Sequence, residues 1–132
     1  MGFSPLSSRH YEYHKMSVSP EYLDFVKDQL RRIPALSYRR MFGAVGIYSQ
    51  GYFFAIVNDD VLYFKVDDSN RPDYEAAGTA QFWPMKDKVP MSYFEVPAEV
   101  IEDESALKLW ADKAIAVART ASIKKKPKRK TP

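Results

Sequence analysis

Three hydrophobic runs in quick succession, residues 39–48, 52–57 and 61–66, constrain this chain more than any other feature. Each is rich in aromatic and β-branched side chains, and they are separated by Ser49-Gln50-Gly51 and Asn58-Asp59-Asp60, residue types that turn a chain. Runs of this length with breaks this short have the spacing of three antiparallel strands joined as hairpins. Gly43 and Gly46 within the first run predict a bulge or a close backbone approach. In the third run Leu62, Phe64 and Val66 alternate with Val61, Tyr63 and Lys65, which predicts one apolar face and one partly wet face. The apolar face requires a layer of helices over it.

The flanking sequence supplies those helices. Ser19-Pro20-Glu21 places serine at a helix cap and proline at the first helical position. The helix is predicted to run to about Arg32, with Tyr22, Phe25, Val26, Leu30 and Ile33 on one side and Pro34 ending it. A second, short helix is predicted from a cap at Ser69 or Asn70 to Gly78, with Pro72, Asp73 and Glu75 in its first turn. Residues 80–84 and 91–96 read as two further strands around a lysine-bearing loop. After Pro97, a last helix opens at Glu102 or Asp103, with Leu107, Trp110, Ala111, Ala114, Ile115 and Ala118 on one face. The expected fold is α+β and two-layered, an antiparallel sheet covered by helices in the order α-β-β-β-α-β-β-α.

A chain of 132 residues, 45% hydrophobic and 14% aromatic, is one domain with one core. The domain is placed at residues 19–122. Residues 1–18 read as a flexible leader in which Met16 has the look of an ordinary start, and residues 123–132 as a disordered basic tail. The net charge of +3 resides in that tail: without Lys124, Lys125, Lys126, Lys128, Arg129 and Lys130, 14 basic residues face 17 acidic ones. The folded body is slightly acidic, and the six tail cations can track a polyanion without reading its sequence.

Absence of cysteine removes disulfides, thiolate nucleophiles and cysteine metal sites, and fits an intracellular protein. No apolar run approaches a membrane span, and the first residues lack the apolar segment of a signal peptide. Both histidines, His10 and His14, fall in the leader, so the domain lacks a base that titrates near neutrality and no enzyme is expected. The pairs Asp59-Asp60 and Asp67-Asp68 have local uses in a turn and before a helix cap, and neither has calcium-loop spacing, so neither metal nor cofactor is expected. Arg31, Arg32, Arg39 and Arg40 converge around Pro34. Three have ordinary readings, as helix-terminal cations or an internal ion pair for Arg40, while Arg39 is the open one. Tyrosines exceed what a core needs, and Tyr48, Tyr63 and Tyr93 are the candidates for a partner surface.

Several pieces in fixed order carry a family resemblance: Arg39-Arg40-Met41-Phe42-Gly43 with Gly46 and Tyr48; the run 61–66 with Asp67-Asp68; Asn70-Arg71 with Tyr74-Glu75-Ala76-Ala77-Gly78; and Tyr93-Phe94-Glu95-Val96-Pro97 with Trp110-Ala111. Together they resemble the N-terminal domain of the TfoX (Sxy) competence regulators, from about Tyr22 to Ala118. The resemblance implies a secretion-chaperone-like α+β fold, a homodimer and a bacterial cytoplasmic setting. It also implies a regulatory or adaptor role that meets transcription proteins, with weak nonspecific DNA contact left to the tail. The competing expectation is a chaperone-like module that takes a peptide or protein and has no nucleic-acid role.

Overall fold

The structure, a computed structural model, describes residues 18–82 and 92–124. The chain runs through α1 (Pro20–Gln29), β1 (Leu36–Met41), β2 (Ala44–Ser49), β3 (Tyr52–Asn58), β4 (Val61–Lys65), α2 (Arg71–Ala77), β5 (Tyr93–Glu95), α3 (Ala98–Ile101) and α4 (Glu104–Lys124). The five strands form one antiparallel sheet in sequence order, β1-β2-β3-β4-β5. The α+β class and the helix-covered antiparallel sheet are as expected.

The element order differs at three places. The run 39–48 is two strands, because the chain turns at Phe42-Gly43 and pairs Met41 with Ala44, Arg40 with Val45 and Arg39 with Gly46. Gly43 is therefore a turn residue. Residues 80–84 form no strand in the described part, where Gln81 makes a single bridge to Phe94; Trp83, Pro84 and the loop 85–90 lie outside the described residues. The last helix is preceded by a separate turn of helix, α3, whose N-cap is Pro97.

Three two-residue turns build the meander. Phe42-Gly43, Gln50-Gly51 and Asp59-Asp60 all have φ between 52° and 85°, the left-handed conformation that a two-residue hairpin needs to match the twist of its strands. Glycine, Asn and Asp tolerate that conformation, whereas Phe42 does not do so readily.

A bulge in β3 sorts the aromatic side chains. Ile47 pairs with Ala55 and the next residue, Tyr48, pairs with Phe53, so Phe54 is the extra residue. As a result Tyr52, Phe54, Ala55 and Val57 all join the helix-covered core, while Phe53 turns to the opposite face.

On the covered face Val45, Ile47, Phe54, Leu62 and Phe64 meet Val26 and Leu30 of α1 and Leu107, Ala111 and Ala114 of α4. Each such side chain, fully removed from water, contributes roughly 1.5–3 kcal/mol. The small alanines let α4 lie close to β3 and β4. Trp110 is half-buried at the rim of this layer, edge-on to Tyr74 at 4.8 Å. α1 starts where expected, with Ser19 Oγ accepting from the Tyr22 N–H at 3.1 Å, and ends earlier, at Gln29.

Candidate interaction surface on the first hairpin

The β1–β2 hairpin places the arginine-bearing motif at one edge of the sheet. Alternation sends Arg39 and Met41 to the face opposite the helices and Arg40 to the helix side with Tyr38. Arg39 stands 5.8 Å from the Tyr48 ring. Both guanidinium groups are exposed, and among the described residues neither has an ion-pair partner. Among the described residues the internal acid expected beside Arg40 is not found, and the neighbouring strand β2 places Val45 opposite it. Arg31 and Arg32, by contrast, turn to the start of α4, where Glu104 lies 2.8 Å and 3.8 Å from them. The four arginines are thus split between two places.

Phe42 at the tip is 94% exposed with φ of 52°. A large aromatic side chain held in the left-handed region and fully wetted is costly twice over, in backbone strain and in lost burial. Met41 folds back over Gly46, where an added Cβ would lie 2.7 Å from the Met41 Cε and 2.9 Å from the Phe53 ring. Gly46 is therefore the close-approach glycine of the motif.

Behind the hairpin, the second sheet face carries a row of rings. Tyr48 stacks on Phe53 at 4.9 Å, Phe53 meets Tyr93 at 5.6 Å, and Tyr63 meets Phe82 at 4.7 Å. Tyr48 and Tyr63 are half-buried, but Tyr93 is only 2% exposed and belongs to an apolar cluster with Ala44, Ile56 and Phe82. Tyr93 is therefore not a surface residue: the Phe82 segment and the Phe53 ring pack where an open sheet face was expected. Its burial pushes the phenol pKa well above the ordinary value.

The acidic part of the motif is structural. Asp67 accepts from the Ser69 N–H and hydroxyl, which holds its carboxyl below the usual range. Asp68 pairs with Arg71 at 3.3 Å on the surface, and Arg71 also lies 5.9 Å from the Phe94 ring. Asn70 is the buried member, 2% exposed, and its side chain reaches backward to β4 instead of capping α2. Gly78 ends α2 in the left-handed conformation, its N–H donating to the Tyr74 and Glu75 carbonyls. Asp59 and Asp60 form a hairpin turn, and Asp60 Oδ1 accepts from the Ser19 N–H at 2.8 Å.

Of the tail cations, Lys124 is the last residue of α4, two positions beyond the expected domain end, and its charge helps depress the Asp67 pKa. Lys125, Lys126, Lys128, Arg129 and Lys130 lie outside the described residues, as do residues 1–17 of the leader, whereas Val18, placed in that leader, is buried in the helix-covered core.

One feature had no signal in the sequence: a cleft of about 260 Å³ bounded by Tyr22, Phe25, Asp60, Glu95, Val96 and Glu102. Its three acids come from a turn, a strand and a helix end, with Asp60 distant in the chain from Glu95 and Glu102. Among the described residues no helix is long and apolar enough to cross a membrane.

An open antiparallel meander, covered on one face by helices and ending in an arginine-bearing hairpin, defines a small α+β domain. The family model for the TfoX N-terminal domain matches residues 28–118, most of the chain, and the protein belongs to that family. A comparison with curated proteins gives no match.

Proposed function

We propose that this protein is a non-enzymatic regulatory or adaptor module whose folded domain engages a protein partner through the β1–β2 hairpin. The observation that carries the reading is Phe42, a strained and almost fully exposed aromatic residue beside two arginines that have no ion-pair partner among the described residues. Exposed aromatic and arginine side chains are the types that anchor protein interfaces. Membership of the TfoX N-terminal domain family supports a regulatory setting linked to DNA-uptake genes. The lysine-rich tail supports weak, nonspecific contact with DNA, and Tyr48 and Tyr63 are the residues we assign to a homodimer contact on the second sheet face.

Affinity capture with the intact chain and with Phe42→Asp tests the partner surface, alongside DNA binding by the intact chain and by one ending at Lys124. The reading expects Phe42→Asp to lose the captured protein while keeping the native circular dichroism spectrum. It expects DNA binding to vanish with the tail and, in the intact chain, to fall roughly a thousandfold between 50 and 200 mM salt if six phosphates are met. Unchanged capture by Phe42→Asp overturns the assignment of the hairpin. DNA binding that survives truncation moves the nucleic-acid site into the folded domain.

A further inference from the structure

The outer edge of β1 offers a second, more specific recognition element. β1 is the first strand of the sheet, so among the described residues nothing pairs with its outer side. The register settles which backbone groups point outward. The Ala35 carbonyl accepts from the Gln50 N–H at 3.0 Å, and Met41 and Ala44 close the two-residue turn. Inward bonds in an antiparallel pair fall on alternate residues, here Ala35, Ser37, Arg39 and Met41. The N–H and C=O groups of Leu36, Tyr38 and Arg40 therefore face away from the sheet.

An edge strand of this kind is either protected or used. β1 is six residues long and contains neither proline nor bulge, and its cations are the two adjacent arginines in its second half. Arg39 stands on one face of the sheet and Arg40 on the other, both exposed and without a carboxylate among the described residues. A second copy of β1 laid against this edge would gather four guanidinium groups and bring no acid with it. A segment with two adjacent acidic residues would place one carboxylate above the sheet beside Arg39 and one below it beside Arg40. Opposite Leu36 and Tyr38, on the helix side, such a segment would carry apolar side chains.

We infer that β1 takes an extended acidic peptide of a partner protein as a sixth strand of the sheet, with the peptide's backbone bonded to Leu36, Tyr38 and Arg40 and its paired carboxylates held by Arg39 and Arg40. This deepens the adaptor reading and rests on it: main-chain bonds supply affinity, and the two arginines select for charge. Phe42 follows the last residue of β1, just beyond the end of the added strand.

The probe is a short labelled peptide with the pattern Val-Glu-Asp-Val-Thr-Val, compared with a Lys-Lys version and with a version carrying proline at the central valine. Binding to the intact chain is read by fluorescence anisotropy and by amide hydrogen exchange. The acidic peptide is expected to bind, the lysine and proline versions to fail, and the amides of Leu36, Tyr38 and Arg40 to be the ones newly protected. Arg39→Glu with Arg40→Glu should lower affinity for the acidic peptide at least about tenfold and transfer binding to the lysine version, a gain that a misfolded variant cannot produce. Failure of the acidic peptide to bind, or binding without protection of those amides, overturns the inference. Protection of those amides in the peptide-free protein that grows with protein concentration also overturns it, by assigning the edge to a second copy. If capture of a protein partner still depends on Phe42 when the acidic peptide fails, the adaptor reading stands and only the added strand falls.

Discussion

The Asn70 side-chain amide donates to the Lys65 carbonyl at 3.1 Å, while its oxygen accepts from the Asp67 N–H at 2.9 Å. One buried side chain thus closes the corner between β4 and α2. Asn70→Ala removes both bonds at a part-buried corner and leaves the Asp67 N–H without this acceptor, a loss of about 1–3 kcal/mol for a buried group. That loss is expected as a lower urea midpoint with an unchanged slope.

Gly46→Ala tests the close approach beneath Met41 and Phe53. The Met41 terminal methyl is flexible and can move aside, whereas the Phe53 ring is held between Tyr48 and Tyr93. The substitution is expected to cost about 1–3 kcal/mol, as overpacking does. In double-mutant cycles, Phe53→Leu should recover more of that loss than Met41→Ala.

Phe42→Asn removes the strain at the first hairpin. Asparagine adopts the left-handed conformation readily, and Asn-Gly is the favoured pair for a two-residue hairpin turn. Stability is expected to rise by about 1 kcal/mol, measured by denaturant unfolding. Partner capture should fall in the same variant, a trade between stability and function that a purely structural phenylalanine would not show.

Tyr38 and Tyr74 report on burial without a hydrogen-bond partner for either hydroxyl among the described residues. Desolvation pushes the Tyr38 phenol up to about 12 and the Tyr74 phenol higher still. Because the folded state keeps these protons longer than the unfolded chain, stability is intact below about pH 10 and declines as pH rises through the folded values. Absorbance titration should show phenolate forming late, in step with unfolding. Tyr74→Phe is expected to be neutral or stabilising by about 1 kcal/mol, and Tyr74→Ala to cost about 3–5 kcal/mol.

The strand content and its turns were legible because two periodicities and a few turn residues are local properties. Gln50-Gly51 and Asp59-Asp60 announce left-handed turns by residue type, and Leu62, Phe64 and Val66 announce a buried face by alternation. The turn at Phe42-Gly43 was hidden because phenylalanine is a poor residue for it, so the run 39–48 read as continuous. Asn70 stands at the N-cap of α2, one of the two positions expected, but its side chain bonds to the Lys65 carbonyl of β4 and not to its own helix.

From its own residues the chain determined an α+β class, helix-covered strands, a cysteine-free chemistry and the family to which it belongs. Tertiary structure alone decided which aromatic side chains face inward, because the extra residue Phe54 reverses the facing of Tyr52 and Phe53, and a bulge is set by pairing between strands and not by either strand's composition. It likewise decided that Tyr93 is buried and that, among the described residues, Arg39 and Arg40 have no carboxylate beside them and nothing pairs with the outer edge of β1. Burial and ion pairing depend on which distant segments arrive beside a residue, and no local pattern encodes that arrival.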